Sequence, residues 1–253
     1  MHRPVLVTGA VGNVGGAVTR SLLASAQPVR AADRDPERVD AAFGSAVSAV
    51  RLDFEQPSTF GPALEGVGAV FLMRPPRIAR VGPTLNAFVD RAFEAGVGHV
   101  VFSSVAGAES NPLLPHHRVE RHLMASASAW TLLRPGFFAQ NVGGPYRDDV
   151  REDNRLYLPA GNGRVAFLDV RDLGDVAAKV FADPAPHRER AYTLTGGEAI
   201  SLHDLAQVLS THLERPITYE PATVPGYVRH LGGRGTPWPL ILVQTLLHVG
   251  LRR

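Results

Sequence analysis

Pro4-Val5-Leu6-Val7-Thr8-Gly9-Ala10-Val11-Gly12-Asn13-Val14-Gly15-Gly16 decides how this chain is read. Four apolar-rich residues run into a turn with glycines at Gly9, Gly12 and Gly15, and an apolar-periodic stretch follows through Leu22-Leu23. The order strand, glycine-rich turn, helix suits dinucleotide binding. Gly9 turns the chain out of the strand, Gly12 lets backbone approach a pyrophosphate, and Gly15 allows helix and sheet to pack closely. The helix start then offers free N–H groups and a positive dipole end to phosphate. Glycines at such spacing also serve simple turns. The context that separates the two readings is a second strand, Pro28 to Asp33, with an acid eighteen residues after Gly15.

Working outward, the pattern repeats. Asp35 and Pro36 read as N-cap and first position of a helix ending near Phe43. Ala46–Leu52 reads as a third strand, Pro57–Leu64 as a short helix, and Gly68–Met73 as an apolar strand buried on both faces. Thr84–Ala95 is expected to be helical, His99–Phe102 a strand running into Ser103-Ser104, His116–Ser126 a helix and Trp130–Arg134 a sixth strand. Such alternation with short connections means an α/β fold with a doubly wound parallel sheet and right-handed crossovers. From Phe137 to Asn162 the pattern loosens. Residues 1–136 are therefore expected to form the nucleotide-binding core. Residues 137–253 are expected to form a smaller C-terminal substrate lobe interleaved with returning core elements: a strand over Arg164–Val170, a helix over Asp172–Phe181, a strand over Tyr192–Leu194, a helix opened by a capping box at Ser201 and Asp204 and running to Leu213, a strand over Ile217–Tyr219 and an apolar helix near residue 240.

Composition narrows the chemistry. The chain has 253 residues, 45% of them hydrophobic, and a net charge of +2. That charge is too small and too dispersed to point to nucleic acid. With no cysteine, disulfides, Cys-liganded zinc, iron–sulfur clusters and thiol catalysis are excluded. The ten histidines show no zinc-binding spacing, so no metal is expected. No signal peptide is read at the start and no stretch is long enough to span a bilayer, and a cytoplasmic location is expected. The apolar run Pro239–Leu251 leaves room for a homodimer.

The chain resembles the NmrA-like group of atypical short-chain dehydrogenase/reductases. The resemblance rests on Val7–Gly15, on Val29–Pro36, on Trp130-Thr131-Leu132-Leu133-Arg134-Pro135-Gly136-Phe137-Phe138-Ala139-Gln140-Asn141, on Phe167–Asp172 and on Tyr192–Gly196. It covers about residues 4–215 and implies a Rossmann-type fold that binds NADP or NAD. It further implies that Thr8, Gly9, Gly12, Asn13, Val14 and Gly15 cradle the phosphates and that Asp53 and Phe54 bracket the adenine. Met73, Arg74 and Pro75 would pass under the pyrophosphate and ribose, Ser103 and Ser104 would sit by the nicotinamide ribose, and Pro135 and Phe137 by the nicotinamide. Phe137, Phe138 and Trp130 either line an acceptor pocket or belong to plain core. Cofactor preference is mixed. Asp33 suits the 2′-hydroxyl of NAD, while Arg34, with Arg30 nearby, suits the 2′-phosphate of NADP. The arginine matches the group's habit, so NADP is the expected preference and NAD the alternative.

The wider superfamily uses a Tyr-x-x-x-Lys dyad. This chain has one lysine, Lys179, and Asp175 stands where the tyrosine would be. At the dyad's place the sequence reads His116-His117-Arg118-Val119-Glu120. His116 and Glu120 share one helix face, so a histidine acid oriented by a carboxylate is one reading and a solvated helical pair the other. Ser104 is the third catalytic candidate. Hydride transfer itself needs no protein base when cofactor and acceptor are well oriented. The expected function is an NAD(P)H-dependent oxidoreductase passing hydride to a small organic acceptor such as a quinone, enone, imine or carbonyl compound. The alternatives are a dinucleotide-sensing regulator without turnover and a non-redox enzyme on the same fold.

Overall fold

The computed structural model describes residues 3–126 and 128–252. In chain order the regular elements begin with β1 (Val5–Thr8), α1 (Asn13–Ala24), β2 (Val29–Asp33), α2 (Pro36–Phe43), β3 (Ser48–Arg51), α3 (Phe60–Leu64), β4 (Ala69–Met73) and α4 (Ala87–Glu94). They continue with β5 (His99–Ser103), α5 (Pro115–Ala125), β6 (Ala129–Pro135), α6 (Arg147–Glu152), β7 (Arg155–Leu158) and β8 (Arg164–Val165). The last are α7 (Val170–Ala182), β9 (Arg190–Leu194), β10 (Ile200–Ser201), α8 (Leu202–Leu213), β11 (Thr218–Pro221), α9 (Val224–Gly233) and α10 (Trp238–Val249). They fall into two units: Met1–Gly136 with Leu168–Leu194, and Phe137–Phe167 with Thr195–Arg253.

The first unit is a seven-stranded sheet in the order β3-β2-β1-β4-β5-β6-β9, parallel throughout. The order reverses at β1, whose neighbours are β2 and β4, and such a reversal opens a crevice at the carboxyl ends of the strands. Strands β1 and β5 are buried at every residue, which explains their unbroken apolar runs. On one face Phe54 and Phe60 set their edges against Phe88, with ring centroids 5.3 and 5.2 Å apart. Trp130 lies in that same core cluster, so core, not an acceptor pocket, is its place. On α1 the Ser21 hydroxyl donates to Asp175 of α7 at 2.7 Å, tying the returning helix to the first one.

The second unit packs β7 against β11 in parallel and β8 against β10 antiparallel. Its core gathers Leu156, Leu158, Leu202, Tyr219 and Tyr227. The Tyr146 hydroxyl meets His248 Nε2 inside it, and Phe137 stacks near both rings.

Local reading and structure differ in a few places. The loose stretch after Phe137 holds α6 and β7, whose four residues are too few to show a period and whose strand partner lies some sixty residues on. The strand expected over Arg164–Val170 stops at Val165, and Asp169 caps α7 by accepting from the Arg171 amide at 2.8 Å. The helix expected from Thr84 opens with a wide turn over Gly82–Asn86, in which Asn86 N–H donates to Val81 C=O at 2.9 Å. Helix α9 went unread, although Thr223 caps it and Pro225 sits in its first turn.

Candidate functional site

The turn between β1 and α1 is built by two glycines. Gly9 has φ +63°, a conformation other residues adopt at a cost, and a Cβ there would lie 2.8 Å from Met73 Sδ. Gly15 has ordinary φ, but a Cβ there would collide with the Gly9 carbonyl, 2.7 Å from its carbon and 3.0 Å from the Thr8 oxygen. The Gly12 amide closes the turn onto Gly9 C=O at 3.0 Å. Gly12 is the N-cap of α1 and has no side chain to satisfy the helix. The amides of Asn13, Val14 and Gly15 are thus left to an external acceptor. Thr8 is fully buried; its hydroxyl accepts from the Met73 amide at 3.0 Å and locks the ends of β1 and β4 together.

Over this turn lies a cavity of about 450 Å³. Gly9 and Gly12 form its floor, with Leu52, Phe54, Met73 and Pro75 as apolar walls. Asp33, Arg34, Arg38 and Arg77 supply its charge. Asp33 accepts from the Asp35 amide at 3.2 Å and pairs with Arg38 at 3.6 Å. Arg34 has no acid within 4 Å among the described residues. Asp53 does not line the cavity. Its carboxylate holds the Glu55 amide at 3.1 Å and Arg77 at 3.3 Å. Phe54 does reach the cavity wall.

Arg74 is not among the residues that line the cavity. Its guanidinium donates to the carbonyls of Pro75, Pro76 and Ile78 at 3.1, 3.1 and 2.6 Å, stapling the loop after β4. Burial lowers its pKa, and its Nε donates to His116 Nε2 at 3.3 Å. That contact puts the His116 proton on Nδ1, which is buried without a partner among the described residues. Burial, then the Arg74 charge, pushes His116 down to about 3. The imidazole is therefore neutral at pH 7, and the expected general acid is not charged.

Among the described residues no hydrogen bond joins His116 to Glu120, and the buried Glu120 is not half of a solvated pair either. Glu120 is buried and accepts Arg134 in a bidentate grip, Nε at 3.0 Å and Nη2 at 2.7 Å, and it takes the Ser104 hydroxyl at 2.5 Å. A fully buried carboxylate requires a cation, and Arg134 at the end of β6 supplies one that His116 cannot. The pairing raises the Arg134 pKa. Ser103 is buried at the end of β5, and Pro135 at the end of β6 accepts from the Ala106 amide at 2.9 Å. Phe137 sits in the second unit, edge-on to Phe167 at 5.8 Å.

With this geometry in place, the model of the NmrA-like family matches residues 1–243. The chain belongs to the NmrA-like family. Among its curated relatives, the NAD(P)H azoreductase of Xenophilus azovorans is 32% identical over 237 residues, covering 92% of this chain and 82% of the relative. Quinone oxidoreductase 2 of Escherichia coli is 26% identical over 240 residues, covering 92% and 82%. A crystal structure of an Escherichia coli NADPH-dependent quinone oxidoreductase complexed with NADPH superposes with a TM-score of 0.87 at 26% identity, covering 98% of this chain and 89% of that one.

Within this NmrA-like chain, Thr8, Gly9, Gly12, Asp33, Arg34, Phe54, Met73 and Pro75 line one cavity. Arg74 and His116 form one pair, and Ser104, Glu120 and Arg134 a separate cluster, both made with residues of α5. Two charged cavity residues escaped the reading, along with the apolar Val11, Ala32, Leu52 and Pro76. Arg38 follows the Asp35 cap by three residues, and side chains on a helix lean toward its N-terminus, so its reach to Asp33 was readable in principle. Arg77 lies in an irregular loop, and no sequence signal marks it.

Proposed function

We propose that the protein is an NAD(P)H-dependent oxidoreductase that favours NADPH and passes hydride to a small organic acceptor without a Tyr-x-x-x-Lys dyad. The observation that carries this reading is the turn built by Gly9, Gly12 and Gly15, whose Gly9 and Gly12 line a cavity that also holds Arg34, an arginine with no acidic partner among the described residues. Both features fit a phosphorylated dinucleotide. The first-turn amides of α1 would hold the pyrophosphate, Arg34 the 2′-phosphate, and Leu52 and Phe54 the adenine face. The azoreductase and quinone oxidoreductase relatives support the same cofactor and acceptor class. When bound, the dinucleotide supplies the hydride. The chain's own part is to bind and orient. Thr8 fixes Met73 over the turn, Arg74 holds the loop that walls the cavity, and the Ser104–Glu120–Arg134 cluster braces β5 against β6.

The proposal assigns acceptor choice to the unit holding Phe137, and a cytoplasmic location suits a cysteine-free chain. Trp238, Leu242 and Leu246 on the exposed face of α10 support a homodimer, which sedimentation of the chain would test. Among the described residues no helix is long and apolar enough to cross a membrane.

Calorimetric titration with NADPH and NADH, followed by a panel of quinones, azo dyes, enones and imines, tests the function. NADPH binding with consumption by at least one acceptor is the expected result. A second reading, a dinucleotide sensor without turnover, is favoured by the neutral His116 and by Ser104 and Glu120 being engaged with each other. Tight NADPH binding with no consumption across the panel would select it.

A further inference from the structure

An acid at the end of the second strand ordinarily selects the unphosphorylated dinucleotide, because a carboxylate accepts from a ribose hydroxyl and repels a phosphate. Asp33 occupies that place, yet Arg34 beside it invites phosphate. The charge around the cavity resolves the conflict. Arg77 answers to Asp53 at 3.3 Å and Glu55 at 3.1 Å and brings no spare positive charge. That leaves Asp33 against Arg34 and Arg38. Asp33 Oδ1 already accepts from the Asp35 amide at 3.2 Å and faces Arg38 Nη1 at 3.6 Å. Its side chain is only 14% exposed, while that of Arg38 is 60% exposed and free to follow a ligand's charge.

We propose that Arg38 decides the dinucleotide preference by neutralising Asp33, so that Arg34 can accept a 2′-phosphate beside a carboxylate that would otherwise exclude it. The inference rests on the NADPH reading above. Arg38 is a positioning residue that acts through Asp33. Asp33 itself is a latent selector for NADH, exposed when Arg38 is removed.

The test is a double-mutant cycle read by calorimetric affinity for NADPH and NADH. Arg38→Ala is expected to weaken NADPH about tenfold through the unmasked repulsion of Asp33, while NADH changes less than about threefold. Asp33→Asn alone is expected to change NADPH affinity less than about threefold, since the carboxylate is already neutralised. In the Arg38→Ala background the same change should restore about tenfold, and Arg38→Lys, which keeps the charge, should hold NADPH within about fivefold of the parent. Retained NADH binding reports that the variants fold. Equal effects of Asp33→Asn in both backgrounds would mean that Arg38 meets the phosphate directly, and would overturn the masking role while leaving the NADPH reading intact. Failure of the parent chain to bind either dinucleotide would sink that reading and this inference with it.

Discussion

Replacing Gly15 with alanine isolates the cradle from every other part of the site. The added Cβ meets backbone only: the Gly9 carbonyl carbon at 2.7 Å, the Thr8 oxygen at 3.0 Å and the Gly9 oxygen closer still. No flexible side chain can yield, so α1 must move off the turn by about 1 Å to restore van der Waals distance. Overpacking of this kind costs about 1–3 kcal/mol of stability. The larger effect falls on binding. A 1 Å displacement carries the amides of residues 13–15 out of hydrogen-bond range of a pyrophosphate, and charge-assisted bonds to such amides are worth about 1.5–3 kcal/mol, or roughly 10- to 100-fold in affinity. Calorimetry with NADPH and a urea titration would separate the two losses. Gly197→Ala is the control, since nothing lies within 4 Å of a Cβ there. A Gly15→Ala protein that binds NADPH within about twofold of the parent would refute the reasoning, because the turn would then tolerate an atom that the geometry forbids.

Acid should destabilise both units. His99 and His248 are pushed down to about 4 and His116 to about 3, in each case chiefly by burial. The unfolded chain therefore binds more protons below pH 6.5, so stability is fully present above that pH and is lost as pH falls through about 4, at up to about 2 kcal/mol per histidine by pH 5. Urea midpoints at pH 7.5 and 5.0, followed by tryptophan fluorescence from Trp130 in one unit and Trp238 in the other, should both fall; unchanged midpoints would contradict the burial argument. Glu120→Gln removes the charge opposite Arg134 and is expected to cost about 3 kcal/mol in a urea titration, whereas a solvated helical pair would lose well under 1 kcal/mol. His116→Gln should leave the pH profile of NADPH consumption unchanged between pH 6 and 8 and lower kcat less than about threefold; a drop of about 100-fold would restore His116 as the proton donor.

Much of the fold was legible because its signals are local. The β1–turn–α1 unit, the Asp35 cap of α2 and the Ser201–Asp204 capping box each depend on residues a few positions apart, and each formed as read. The central strands β1, β4, β5 and β6 were readable as largely buried apolar runs. Short β7, whose partner is remote, was not.

The sequence by itself pointed to a dinucleotide-type cradle, because glycines at fixed spacing between a strand and a helix permit a turn and a close backbone approach that side chains would block. It also contains no Tyr-x-x-x-Lys motif, since Asp175 stands four residues before its single lysine, Lys179. What only the tertiary structure decided is who pairs with whom. Glu120 goes to Arg134 and Ser104, His116 to Arg74, Asp53 to Arg77, and Asp33 shares Arg38 and the Asp35 amide. Except for Asp33, these partners lie fourteen or more residues apart, and the strength of each contact is set by burial, which no local pattern of residues contains.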